Sequence, residues 1–436
     1  MREARATSAQ DLELVRARIR VALELAIGNG PVQAHRALDQ VAPSAGLGNG
    51  EIDALYFQAR AIAHIKARAI AEGFEAFELA LRAARVHAEP GLCARVLLNY
   101  GSASVQDGNI TLAVACLEEA MLMSRSAEVA KPFVLVSLAE ALLAAGELRR
   151  AAALLIELQS TGDGTTRTSL VAAAAAIPLG MMLGEEALLK SSCDPSLLDL
   201  AFALPEQGLL GPLVESFCAL YEQRGWRARH DALLDRSLAT LSVLDNSLLL
   251  GIRGARLGRP EHLARVSGLM ARQCGVVSSA FLRAHQDLFE SFVSARRRMP
   301  ERAKELALRA EAEFARADRP LLQALALDAA GLTTRARGLR AQCGARVDAM
   351  RAVWRGTPIH KRLATALTAR ESEVARLAAG GASNRAIATA LGLSERTVHH
   401  HCEAIFSKLG IRSRWQLPPA LGRDIGKLPT RARRRA

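Results

Sequence analysis

The sequence predicts an all-α protein: a long array of helical hairpins followed by a small unit of four short helices. Three observations predict it. Residues 1 to about 355 are rich in Ala, Leu, Arg and Glu, aromatic residues make up 4% of the 436, and strand-like alternating runs are nearly absent. That is the composition of helices rather than sheets. A turn glycine recurs along this stretch, and helix-capping signals then crowd into residues 367–417.

The array comes first. Gly73, Gly108, Gly146, Gly184, Gly225 and Gly258 lie 35, 38, 38, 41 and 33 residues apart, and Met299-Pro300 and Gly338 continue the rhythm. Their surroundings repeat as well, with a small residue seven positions earlier and a small or apolar one about five later. The best copies are Gly101 with Gly108 and Ala113, Ala139 with Gly146 and Ala151, and Gly251 with Gly258 and Leu263. Two helices of roughly fifteen residues plus turns fill about 34 to 40 residues, and small residues let paired helices approach closely. The pattern resembles a degenerate tetratricopeptide-type repeat about eight hairpins long, whose solenoid offers a concave surface to a partner. An irregular helical domain without a groove is the alternative. Ala172 to Ala176 reads as a close helix contact or helix filler. Residues 1–355 are thus assigned to a repeat domain that senses or docks, and residues 356–366 to a linker. There Gly356-Thr357-Pro358 breaks the helical pattern after Trp354 and the basic stretch His360 to Arg362 follows.

Several classes are disfavoured by what is missing. No run of eighteen apolar residues occurs and Met1 to Asp11 is polar, so a cytoplasmic protein with no membrane association is expected. Cysteines 93, 116, 193, 218, 274, 343 and 402 form no Cys-x-x-Cys pair, which fits free thiols rather than a zinc or disulfide framework. Gly-x-x-x-x-Gly-Lys-Ser/Thr is absent, and the sole Gly-Lys, Gly426-Lys427, precedes Leu428. Neither a paired-carboxylate site nor a nucleophile with its base stands out, so no enzyme, no cofactor and no metal are expected.

The four short helices are bounded by physical marks. Thr368-Ala369-Arg370-Glu371 is a capping box, in which the hydroxyl and the carboxylate satisfy each other's backbone donors. The helix it opens carries Val374, Leu377 and Ala378 on one face and stops at Gly380-Gly381. Ser383 caps a second helix presenting Ile387, Ala388 and Leu391, which ends at Gly392, the glycine of a helix-turn-helix. Ser394 caps a third helix, Glu395 to Leu409, stopped by Gly410. At 100° per residue, Val398, Cys402, Ile405, Phe406 and Leu409 of this third helix form its buried stripe. Arg396, His400 and Glu403 lie opposite with His399 on one flank, while Thr397, His401 and Lys408 share the other flank. One face reads and one edge grips, as a groove requires when base edges form its floor and phosphates its walls. Arg396 has the fork that fits guanine, and Glu403 can accept from a cytosine amino group.

Charge points the same way. From Lys361 to Ala436 there are 15 Lys or Arg against 5 Asp or Glu, a balance of +10, which leaves +3 of the total +13 for the first 360 residues. Localised basicity is the footprint of nucleic-acid binding. Residues 423–436 form a basic tail in which Arg431, Arg433, Arg434 and Arg435 either add non-specific phosphate contacts or form a solvated end. The run His399-His400-His401-Cys402 is no metal site, because consecutive helical residues point 100° apart. Phosphates should instead raise the pKa of these histidines, so that DNA affinity strengthens as pH falls through roughly 6.5.

Four blocks in order now carry a resemblance: Leu-Thr-Ala-Arg-Glu-Ser-Glu-Val (367–374), Ser-Asn-Arg-Ala-Ile-Ala (383–388), Ser-Glu-Arg-Thr-Val-His-His-His (394–401) and Lys-Leu-Gly-Ile-Arg-Ser-Arg (408–414). Residues 367–422 resemble the LuxR-type DNA-binding domain. The resemblance implies base contacts from His399, His400 and Glu403, and phosphate contacts from Thr397, Lys408 and Ser383. It implies double-stranded operator DNA as partner and a homodimer. Two positions depart from the pattern. Glu403 stands where the family often has lysine or another polar donor, and Pro418-Pro419 interrupts the fourth helix, the usual dimer contact.

The rest of the chain selects among architectures. No alternation of strands and helices precedes the domain, as a phosphoacceptor receiver would need, and an aromatic-rich α/β lactone-binding domain is absent too. What remains resembles the last two parts of the large ATP-binding LuxR-family regulators, without the ATPase module. The expected function is a transcriptional regulator whose repeat domain answers to a protein or small-molecule effector, with RNA polymerase as a further partner. Two other readings compete. A sigma-factor-like use is opposed by the 408–414 block and the missing upstream sigma regions, and an adaptor with a weak DNA module is favoured by Glu403 and the proline pair.

Overall fold

The computed structural model describes residues 9–27, 30–41, 49–124, 131–161, 165–204, 207–241, 244, 248–274, 279–346, 367–409, 414 and 417. Among them lie 22 α-helices and no strand, as expected of a chain dominated by residues that lose little freedom in a helix. The helices are α1 (Ala9–Ile27), α2 (Pro31–Asp39), α3 (Gly50–Lys66), α4 (Ile70–His87), α5 (Pro90–Asp107), α6 (Ile110–Ser124), α7 (Lys131–Ala145), α8 (Leu148–Thr161), α9 (Thr166–Leu183), α10 (Glu186–Ser192) and α11 (Ser196–Ala203). They continue as α12 (Gln207–Gln223), α13 (Arg227–Thr240), α14 (Leu248–Leu257), α15 (Pro260–Cys274), α16 (Ala280–Arg296), α17 (Pro300–Arg316), α18 (Pro320–Ala329), α19 (Thr333–Gln342), α20 (Ala369–Ala379), α21 (Asn384–Leu391) and α22 (Glu395–Leu409). Two compact units are present, one of Met1–Gly180, Glu185–Phe217 and Leu234–Ala345, the other of Met181–Gly184, Cys218–Leu233 and Arg346–Ala436.

In the first unit, sequence neighbours pair as hairpins: α3 with α4, α5 with α6, α7 with α8, α16 with α17, and α18 with α19. The leading helix of one hairpin also touches that of the next, through α1, α3, α5 and α7 and again through α14, α16 and α18. Left-handed backbone stands at Arg68, Gly108 and Gly146 of this unit, 40 and 38 residues apart, and along the chain in the second unit at Gly184 and Gly225. Small residues set the crossings. A side chain at Gly101 of α5 would meet Leu117 Cγ at 2.6 Å and the Ala113 carbonyl of α6 at 3.2 Å.

Two of the expected turn glycines are corrected. Gly73 lies inside α4, packed where a Cβ would come within 2.6 Å of Ile65 Cδ1; the turn before it is made by Arg68, with φ 67°. Gly338 lies inside α19, and the turn belongs to Gly331. Glycine serves close helix contact as well as left-handed turns, and spacing alone does not separate these uses. The Met299-Pro300 position holds: Met299 precedes α17 and Pro300 opens it.

The array also folds back on itself. The turn after α5 places Gly108, at φ 90°, under the ring of Phe281 of α16, where a Cβ would lie 2.6 Å from the ring carbon Cγ. Gly146, after α7, faces Pro320 and the Cys343 sulfur in the same way, and α7 touches α18. Arg319 Nη1 donates to the Val105 carbonyl at 3.1 Å, and its guanidinium lies over the Phe281 ring, 4.9 Å from the centroid. Beneath this closure His285 is buried between the edges of Phe281 and Phe314, with ring centroids 4.7 and 5.0 Å away. Its Nδ1 donates to the Phe281 carbonyl at 2.9 Å. Burial pulls its pKa down to about 4, so the ring is neutral at pH 7.

Ala172 to Ala176 sit in α9 and are all buried, as the close-contact reading expects. Pro178 follows inside the same helix. A proline lacks the N–H that would bond the carbonyl four residues back, here that of Ala174. The Ser216 hydroxyl of α12 donates to that carbonyl at 2.6 Å. By length and composition α9 is apolar enough to cross a membrane, but most of it is covered within the fold.

Candidate nucleic-acid interface

Three serine or threonine caps open the helices of the C-terminal module. Thr368 Oγ1 accepts from Glu371 N at 3.2 Å while Glu371 Oε2 accepts from Thr368 N at 2.7 Å, which completes the capping box that opens α20. Ser383 Oγ takes the Ala386 N–H at 3.1 Å to start α21, and Ser394 Oγ takes the Thr397 N–H at 3.1 Å to start α22. Between α21 and α22, Gly392 holds the left-handed conformation at φ 62°. The core beneath consists of Val374, Ala375, Ala378 and Ala379 of α20, Ile387 and Ala388 of α21, and Val398, Cys402 and Ile405 of α22, with Leu417. Phe406 is half-buried against it. The side chain of Leu409, the last residue of the expected stripe, lies outside the described residues. Burial pushes the Cys402 thiol up, which makes it an apolar core residue rather than a thiolate ligand. No His, Cys, Asp or Glu cluster suited to a metal occurs among the described residues.

With that stripe inward, α22 turns Arg396, His399, His400 and Glu403 to solvent. Glu403 is bracketed: its Oε1 lies 3.4 Å from His399 Nε2 and its Oε2 lies 3.4 Å from His400 Nδ1. Thr397 and His401 are half-buried along the flank, and the Thr397 hydroxyl is 2.8 Å from that of Ser394. Ser383 is exposed at the start of α21, where unpaired N–H groups and the helix dipole favour an anion. Lys408 belongs to the last turn of α22, but its side chain lies outside the described residues. So do the linker 356–366, the proline pair Pro418-Pro419 and the basic tail 423–436.

Two arginines that sequence reasoning assigned no site role brace this surface. Arg370 Nη2 donates to the Leu391 carbonyl at 2.5 Å and its Nη1 reaches Glu373 at 2.9 Å, tying α20 to the end of α21. Arg414 Nη1 donates to Asn384 Oδ1 at 2.5 Å and its Nη2 to the Ala382 carbonyl, which fastens Arg414 to the start of α21. Both arginines stand in the quoted motif blocks, and that position was the available signal. Elsewhere, Asp235 and His262 meet at 2.6 Å, but the other ring nitrogen of His262 takes the Arg259 backbone N–H at 3.1 Å. That imidazole secures the start of α15 rather than serving a nucleophile.

Three capped helices, a glycine turn and an outward third helix define a helix-turn-helix module. Residues 365–418 match the family model described as bacterial regulatory proteins, luxR family. The chain therefore carries a LuxR-family domain, the DNA-binding part of a transcription regulator. No match was found among curated proteins.

Proposed function

We propose that this protein is a cytoplasmic, sequence-specific transcription regulator that inserts α22 into the major groove of double-stranded DNA, controlled by its helical array. The observation that carries the reading is the exposed set Arg396, His399, His400 and Glu403, held on a helix whose opposite stripe is buried. In this reading those four side chains discriminate bases, and Ser383, Thr397, His401 and Lys408 contact phosphates. The array, residues 1–355, is a tetratricopeptide-like repeat domain that takes a protein or small-molecule effector. The alternating contacts of its leading helices and its recurring left-handed turns support that assignment. A homodimer on a two-fold operator, acting on RNA polymerase without catalysis or cofactor, completes the proposal.

The test is retention of genomic fragments by the full-length protein at moderate salt, followed by sequencing. A shared, roughly two-fold motif supports the reading, and random fragments or none favour an adaptor with a weak DNA module. Arg396→Ala and His400→Ala are expected to lose discrimination among retained sequences. Lys408→Ala is expected to weaken all of them alike and to flatten the salt dependence. Equal behaviour of the three variants overturns the division into reading face and gripping edge.

A further inference from the structure

Glu403 is a carboxylate on the face that the proposed function turns into the groove, between its phosphate walls. Its side chain is 60% exposed, and those of His399 and His400 are 62% and 64% exposed, so DNA can reach all three. They stand at the i, i+4 and i, i+3 spacings that make helical side chains neighbours, and each histidine addresses a different carboxylate oxygen. The 3.4 Å separations suit ion pairs that form when the imidazoles are charged. Other charges stand near the cluster on α22 itself: Glu395 precedes His399 by four residues, Arg396 precedes His399 and His400 by three and four, and His401 lies on the flank. On α20, Arg370 binds Glu373 and the Leu391 carbonyl, and Glu371 closes the capping box. Arg376 of α20 and Arg385 of α21 are the remaining charged side chains on the helices packed against α22, and Arg396 lies two turns before Glu403 on α22 itself.

With both histidines neutral, this cluster carries −1 into a groove walled by phosphates. One proton makes it neutral, and a second makes it a cation. We propose that the cluster His399–Glu403–His400 takes up a proton when DNA binds, which makes Glu403 the residue that renders this regulator's DNA affinity dependent on pH. The proposal rests on the reading of α22 as the recognition helix. It differs from a general effect of phosphates on histidine, since the carboxylate is the group whose charge must be cancelled. By linkage, a histidine whose charged form gains a partner in the complex strengthens binding below its titration range and loses that gain as pH rises through it.

The experiment measures binding of the full-length protein to a randomised duplex pool at pH 6 and pH 8 at fixed ionic strength. Uptake of one proton is worth up to about tenfold in affinity per pH unit, so wild-type binding is expected to be roughly tenfold tighter at pH 6. Glu403→Gln is expected to bind more tightly than wild type at pH 8 and to lose most of the pH response. The double variant His399→Gln with His400→Gln also loses the response, but stays weak at both pH values. Parallel curves for wild type and Glu403→Gln overturn the proposal, as does a wild-type affinity that is equal at the two pH values. Retention of no DNA at either pH overturns the recognition-helix reading along with it.

Discussion

The array and the module lean on different means to start their helices. In the DNA-binding module each of α20, α21 and α22 opens on a serine or threonine whose hydroxyl takes a backbone N–H. In the array, Asn49, Asn109 and Thr165 cap α3, α6 and α9, but α2, α5, α17 and α18 open on proline with no side-chain cap. Their positions are set by the crossings and closures that bury them. A small module with a thin core draws a larger share of its stability from local bonds, whereas a long array draws its own from apolar burial and close approach. Damage to a cap should therefore be felt in the module, and damage to a crossing or closure in the array.

The largest effect is expected at Gly108. Alanine there must adopt φ near 90° and also displace the Phe281 ring, so Gly108→Ala should cost more than about 3 kcal/mol, measured as a fall in the urea midpoint of the array. An unchanged midpoint would show that the closure is dispensable. Acid should act nearly as strongly at the same place. Because the folded pKa of His285 is about 4 and the unfolded one is ordinary, its contribution is complete at pH 7. It is lost as pH falls through about 6.5 toward 4, amounting to about 3 kcal/mol. His285→Leu should reduce that acid loss, as followed by thermal unfolding across pH.

Gly331→Ala is the control for Gly108: φ is 80° but nothing lies within 4 Å of a Cβ. Only the left-handed backbone is penalised, and about 1 to 2 kcal/mol should be lost. A loss equal to that of Gly108→Ala would remove the argument from the Phe281 contact. The smallest effect belongs to the module, where Thr368→Ala should cost about 1 kcal/mol. Hydrogen exchange should then quicken at the start of α20 and leave the array unchanged.

The same contrast explains what could be read in advance. Thr368, Ser383, Ser394 and Gly392 were legible because a cap or a tight turn is a contract among residues three or four apart. The buried stripe of α22 was legible for the same reason, since helical period alone places Val398, Cys402 and Ile405 together. The array was legible only in its rhythm. Turns made by Arg68, Ala88, Arg298 and Asp318 carry positive φ without glycine, so a search for glycines passed over them and took Gly73 for the turn that Arg68 makes, while spacing preferred Gly338 to the turn glycine Gly331. The role of Ser216 depends on a proline 38 positions earlier in another helix. Glu403 was legible as a departure from a pattern, but its bracketing by two histidines needed the rotamers of a folded helix.

The contact of Arg319 with Val105 spans 214 positions, and with Phe281 on Gly108 and Pro320 on Gly146 it joins parts that a simple string of repeats would leave independent. An open string behaves as a one-dimensional chain that can fray from either end and nucleate anywhere. Joining distant members removes that freedom. Fraying at one end must first break the distant contacts, so the array should melt in one sharp step rather than hairpin by hairpin. Bringing such remote segments together also carries a loop-closure cost before any contact repays it, so the last stage of refolding should be slow even though every hairpin forms quickly.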